Sequence, residues 1–306
     1  MSVNLGFSCR ADREVIEVPD RFVAADSEGL QHYEGKRRQW PLPVPDAAGW
    51  IPGDIVEPDE LGSPQVFSAT ELLDEPGERV FVAELVGETG AARLVSGTLW
   101  SELTAAMFAL DCVEHVLSIV PGSAEAELPG GGTLGPIIAS ARQYLADGGA
   151  DTQKLGFVAR IAAARRLRRE STTIGDAAFT AATQAEGKGV DIWSDPAWET
   201  LAAARDAVLA AVEAVRHVAL PFLTERGTRK YEAREDRKSA DVDEVDTPWG
   251  RFAVGGGGLK YVPSWVSARD AAERSRQAAA DLGGTEAGEA ERVWQVGQLL
   301  ERLGVE

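Results

Sequence analysis

Between Leu99 and Leu223 the sequence is a succession of alanine-rich segments whose larger apolar residues recur at three-, four- and seven-residue steps, and that pattern specifies packed helices. The first segment, about 98–119, carries Leu99, Leu103, Met107, Leu110, Val113, Val116 and Leu117, with Val120 just beyond. A helix apolar on most sides belongs in the middle of a bundle. A second helix spans about 134–146 and stops at Asp147-Gly148-Gly149. A third, about 152–170, ends in Arg165, Arg166, Arg168 and Arg169, where positive charge meets the negative end of the helix dipole. A fourth covers about 174–186. The fifth opens on Ser194-Asp195-Pro196, a cap followed by a proline, and carries Leu201, Val208, Val212, Val215, Ala219 and Phe222 as one stripe. Five such segments joined by short connections predict a compact antiparallel bundle over 99–223, and so a mainly α fold.

The flanks differ, and make the whole α+β. Residues 1–98 read as mixed β and loop: a strand over Glu14–Val18 ended by Pro19, a helical turn over Ser68–Leu73, and the apolar strand Arg79–Val86, which suits a sheet interior. Trp40-Pro41-Leu42-Pro43-Val44-Pro45 is extended, because each proline removes a donor and biases its predecessor. It reads as an arm packed on its own domain. Residues 224–247 are almost wholly polar and form a linker. Asp241-Val242-Asp243-Glu244-Val245-Asp246 within them lacks the glycine and the span of a calcium loop. Arg251-Phe252-Ala253-Val254 and Leu259-Lys260-Tyr261-Val262 flank four glycines and predict a hairpin; helices over about 267–282 and 287–303 close the chain. The expected division is thus 1–98, 99–223 and 224–306.

Charge narrows the partners. The formal net charge is −18, and residues 1–98, with 18 acidic and 8 basic side chains, supply −10 of it. Such a field repels nucleic acid and attracts a basic protein, so a protein partner is expected and nucleic acid is not. No apolar run reaches membrane length, and the amino-terminal stretch lacks the basic and apolar regions of a secretory signal. The expected location is cytoplasmic, with no membrane partner. Of the two cysteines, Cys9 and Cys112, the second lies in an apolar helical run and acts as a small hydrophobe.

Chemistry-bearing residues are few. Two of the three histidines follow a carboxylate by four residues, as Asp111/His115 and Glu213/His217. Thr104, Asp111, Glu114, His115 and Ser118 share one stripe of the first helix, since residues three, four and seven apart lie on one face. A polar stripe on an apolar helix needs partners, and Arg165, Arg166 and Arg169 of the third helix are expected to supply them. Glu213 and His217 lie opposite the fifth helix's apolar stripe and read as a solvent-side ion pair. Asp111, His115, Glu213 and His217 are the weak metal candidates; their spacing differs from the Glu-x-x-His pattern of di-iron bundles. The four glycines at 255–258 precede no Lys-Ser or Lys-Thr and form no phosphate loop. The third histidine, His32, lies in an acidic loop, so no Ser/His/Asp set is assigned. No cofactor is expected.

The stretch Trp100–Leu117 (WSELTAAMFALDCVEHVL), followed by Ile137-Ile138-Ala139-Ser140-Ala141-Arg142-Gln143-Tyr144-Leu145, resembles the helical immunity proteins of actinobacteria. Those carry an Asp-Cys-x-Glu-Arg/His turn and then an Ala-Arg-x-Trp/Tyr-Leu helix; the matching turn here is Asp111-Cys112-Val113-Glu114-His115. The resemblance covers about residues 99–223. It implies an all-helical domain that binds and neutralises a cognate toxin. The resulting expectation is a non-catalytic, immunity-like or inhibitor-like protein that engages a partner through an acidic surface. The alternatives are a carboxylate/His enzyme in the bundle, metal-dependent or not, and a phage-type structural or assembly component.

Overall fold

The computed structural model describes residues 21–75, 77–125, 128, 131–150, 157–187, 196–219, 243–247, 250–254 and 263–305. The strand expected over Glu14–Val18, Cys9, the Ser194-Asp195 cap and the second hairpin strand at 259–262 lie outside these residues, as do most of the polar linker and the His217 side chain.

The fold is mainly helical with small antiparallel sheets, α+β overall. Strands β1 (Phe22–Ala25), β6 (Arg79–Val86) and β7 (Ala91–Gly97) form one sheet with β6 in the centre. Successive side chains of a strand point to opposite faces, and here both faces are covered. Val80 and Val82 enter the bundle core, while Phe81 and Ala83 enter a second cluster with Val23, Trp40 and Leu94. That is why β6 is apolar along most of its length.

Two hairpins lie between β1 and β6. Strands β2 (Leu30–Tyr33) and β3 (Lys36–Gln39) turn through Glu34 and Gly35, both at positive φ, the backbone that a two-residue hairpin requires. Strands β4 (Val44–Asp46) and β5 (Gly49–Ile51) form the other. The proline-rich segment is anchored at its first residue. Trp40 is buried and its Nε1 donates to Gln31 Oε1 at 3.1 Å. Gly53 and Val56 bond Leu94 and Ala92, which covers the outer edge of β7. Helix α1 (Ala69–Leu72) is a single turn fixed by a Ser68/Glu71 capping box.

Helix α2 (Glu102–Ile119) starts at a second capping box, Ser101 with Thr104. Helices α3 (Leu134–Ala150), α4 (Phe157–Gly187), α5 (Pro196–Ala219), α6 (Ser264–Gly283) and α7 (Thr285–Leu303) follow. Helix α5 is the axis of the bundle, in contact with α2, α3, α4 and α6. Its Ala203, Ala204, Ala207, Ala210, Ala211 and Ala214 are fully buried. Glu213 is therefore not on a solvent side, as its position opposite the apolar stripe predicted, but buried: an axial helix has no outer face.

One further expectation is corrected. The third and fourth helices are one, α4, because Thr172 and Thr173 turn their hydroxyls onto the carbonyls of Arg168 and Arg169 instead of capping a new start. Its buried row, Ala164, Leu167, Ser171, Ile174, Ala178 and Ala182, runs straight through the expected break. Strand β9 (Gly250–Val254) pairs with β8 (Asp243–Thr247), with Val245 opposite Phe252; the partner expected at 259–262 lies outside the described residues. One apolar cluster runs from Phe22, Val80 and Val82 through α2 and α5 to Ala271 on α6 and Leu299 on α7. Among the described residues no helix is long and apolar enough to cross a membrane.

Continuity of α4 is directly testable. Thr172 is exposed, and proline there deletes one helical hydrogen bond and clashes with the preceding turn. Thr172→Pro is expected to cost about 3 kcal/mol in urea unfolding. Two separate helices divided at 171–173 would accept it with little loss.

Candidate functional site

The polar stripe of α2 is where three elements distant in sequence meet. Asp111 is held from both sides. Arg142 of α3 donates to its Oδ1 at 2.8 Å, and Arg302 of α7 donates to Oδ2 and Oδ1 at 2.7 and 2.9 Å. Arg142 also reaches Glu114, donating to Oε1 at 2.8 Å and to Oε2 at 2.9 Å. The Asp111 side chain is 10% exposed and both guanidinium groups are about a quarter exposed, so these are charge-assisted bonds at the bundle's edge.

One turn on, His115 Nδ1 lies 2.6 Å from Glu291 Oε2, and the imidazole stacks on Trp294 at 3.9 Å between centroids, 7° from parallel. Glu291 is 1% exposed; Gln295 donates to its other oxygen at 3.1 Å and to the Ala272 carbonyl at 2.8 Å. Burial pushes the Glu291 carboxyl above the usual carboxylate range, against the opposing pull of His115. The imidazole is thus oriented as a general base would be. Neither Ser118 nor Cys112 of the same helix serves it as a nucleophile: Ser118 Oγ donates to the His115 main-chain oxygen, and the Cys112 thiol is fully buried, with burial pushing it well above its ordinary pKa.

The arginines expected to serve this stripe do not reach it. Arg165, Arg166 and Arg169 are exposed on mid-helix α4, and Arg166 pairs with Glu170 one turn away at 3.0 Å. Since α4 continues to Gly187, the cluster is not at a helix end either. Arg302 and Glu291, the partners that the sequence reading missed, come from the last helix, 176 to 191 residues away in sequence. Asp111, His115 and Glu213 form no metal cluster: among the described residues no three His, Cys, Asp or Glu side chains stand close enough to share an ion.

A second polar cluster lies inside the bundle. Asp206 accepts from Arg205 at 2.7 Å and from Arg274 of α6 at 3.0 Å; Arg274 reaches Glu199 at 3.4 Å and lies over the Trp198 ring at 5.2 Å. Burial pushes the Glu199 carboxyl up to about 7, opposed by Arg274. Glu199, Asp206 and Glu213 stand at seven-residue steps on α5, a spacing that marks one face and was legible in the sequence.

Two surfaces remain. On β4 and β5, Val44, Ile51 and Trp50 are 57%, 55% and 45% exposed, with Val44 directly opposite Ile51. Exposed Asp46 and Asp54 flank them in sequence. Between the sheet and the first turns of α2 and α6 lies a cleft of about 530 Å³, lined in part by Asp26, Glu75, Glu78, Arg79, Glu102 and Trp265.

No protein-family model, no curated protein and no solved structure matches this chain.

Asp111→Asn keeps the shape and removes the charge that two arginines share, and is expected to cost about 2–3 kcal/mol in chemical denaturation. In a double-mutant cycle with Arg302→Gln the two losses should be less than additive; full additivity would show that the pair is not coupled. Glu199 gives a pH signature. Its native carboxyl is raised from 4.5 to about 7, so its favourable contribution is complete below 4.5 and is lost as pH rises through 7. Glu199→Gln should gain on the unsubstituted protein across that window and hold the gain above it, read as denaturation midpoints against pH.

Proposed function

We propose that this is a non-catalytic binding protein, immunity-like or inhibitor-like, that engages a basic protein partner through its amino-terminal third. The observation that carries the reading is the β4–β5 hairpin. In the third of the chain that holds more than half of the net charge, Val44, Trp50 and Ile51 stand exposed on paired strands. Exposed apolar side chains bordered by charge have the anatomy of an interface core with a polar rim. The carboxylate–histidine stripe of α2, by contrast, is taken up by bonds between helices and reads as a structural staple. The resemblance of residues 99–223 to helical immunity proteins agrees with this reading, with the bundle as scaffold and the acidic third as contact surface.

The test is association kinetics on the full chain with the partner it captures from its host. A basic protein is expected, with an on-rate that falls steeply as salt rises toward physiological strength, where the Debye length is about 8 Å. Ile51→Asp, on an exposed position, should leave the fold intact and raise the dissociation rate at least about tenfold. A partner whose binding ignores both salt and Ile51, or catalytic turnover lost in His115→Ala with the fold preserved, overturns the proposal.

A further inference from the structure

The cleft between the sheet and the helices has features that the hairpin lacks. Its walls come from the end of β1, Leu30 and His32 of β2, Phe67, Glu75 with Gly77 to Arg79 at the start of β6, Ser101 to Leu103 at the start of α2, and Pro263 with Trp265 at the start of α6. Those walls are tied together. Glu102 Oε2 accepts from the Ser264 main-chain N–H at 2.6 Å, and Trp100 Nε1 donates to the Gly77 carbonyl at 3.0 Å. The cleft is therefore preformed, and its volume of about 530 Å³ falls within the range of ligand-binding clefts.

Its charge is one-sided. Asp26, Glu75, Glu78 and Glu102 face one guanidinium, that of Arg79, and one imidazole, that of His32. Some carboxylates elsewhere are matched by arginine forks, as at Asp59 with Arg38 and Asp74 with Arg292. Glu75 and Glu78 are exposed and make no side-chain hydrogen bond or ion pair among the described residues. Their field reaches beyond the cleft: Tyr33 is raised above its ordinary pKa first by Glu34 and, after a desolvation contribution, by Glu75. Beside these acids stand Leu30, Phe67, Leu103 and Trp265, which add apolar contact and an indole ring that attracts cations.

We propose that this cleft docks an extended protein segment in which arginine or lysine alternates with apolar residues, the cation set between Glu75, Glu78 and Trp265. The sign of the lining rejects phosphate and acidic peptides. A small apolar ligand would leave two carboxylates without counter-charge. The inference rests on the reading of a basic partner and names where that partner's charged segment lodges.

The probe is a capped Leu-Arg-Leu-Arg-Leu peptide titrated calorimetrically into the full chain, with Leu-Glu-Leu-Glu-Leu as the control. The arginine peptide should bind and the glutamate peptide should not. Glu75→Gln with Glu78→Gln, both on exposed positions that no fold contact uses, should weaken binding at least about fivefold. Arg79→Gln should strengthen it. Equal binding of the two peptides, no binding of the arginine peptide, or an affinity indifferent to the double substitution overturns the proposal. The two readings separate cleanly. A captured basic partner that depends on Ile51 but ignores Glu75 and Glu78 removes the cleft alone. Peptide binding in the cleft by a chain that captures no basic protein removes the functional reading alone.

Discussion

Everything in this fold is arranged around a helix with no outside. Helix α5 lies against four other helices, and alanine is the commonest residue at its buried positions. Alanine buries little apolar area per residue, so an axis of this kind is stabilised only if its neighbours approach closely; helix separations depend on the side chains at the contact. The neighbours are built accordingly. Helix α6 turns Ala268, Ala271, Ala272, Ala278 and Ala279 inward with Ser264, Ser267 and Ser275. At the α6–α7 corner a side chain at Gly288 would press on Ala280. Aromatic bulk gathers where sheet and bundle meet, in Phe22, Phe67, Trp100 and Phe108, and recurs at Trp198 on α5 itself.

Close packing by small residues is weakly specific, because many registers of an alanine face look alike. The polar bonds add what the alanines lack. Arg302 and Arg142 fix α7 and α3 on Asp111, His115 with Glu291 and Trp294 fixes α7 a turn further on, and Arg274 fixes α6 on α5. Each has directional geometry that a slip of one turn would break. In physical terms the carboxylate–histidine pair on α2 sets register, and its chemical appearance follows from that task.

This division explains what could be read from the sequence. Apolar periodicity is local, so α2, α5, β6 and the α1 turn were legible, and with them the mainly helical class. The Asp111–Glu114–His115 stripe was legible as a polar face in need of partners. The partners were not, because Arg302 and Glu291 lie at the far end of the chain and nothing local joins them to α2. Arg142 lies 31 residues beyond Asp111, on another helix, and no local pattern joins the two. The break assigned at 171–173 failed for a local reason: serine and threonine look like caps, but within the continuing helix the hydroxyls of Thr172 and Thr173 bond back to the preceding turn. Glu213 failed for a global one, since whether a helix has a solvent side depends on how many neighbours it acquires.

The same economy places the charge. Apart from His115 with Glu291, the side-chain ion pairs among the described residues draw on arginine, whose planar fork can meet two carboxylate oxygens at once, as Arg302 does on Asp111 and Arg38 on Asp59. Lysine, a point charge, would hold register less well, and the chain carries only 6 lysines among its 31 basic residues. Arginines committed to staples are lost to the surface as neutralising charge. The excess of acid is then left where no staple is needed, in the amino-terminal third, around a hairpin that exposes Val44 and Ile51 and a cleft that gathers Glu75 and Glu78. The long-range field therefore points outward from the two surfaces that carry unsatisfied contact chemistry. On the proposed function, structure and recognition draw on one pool of charge, and what the first consumes defines what the second displays.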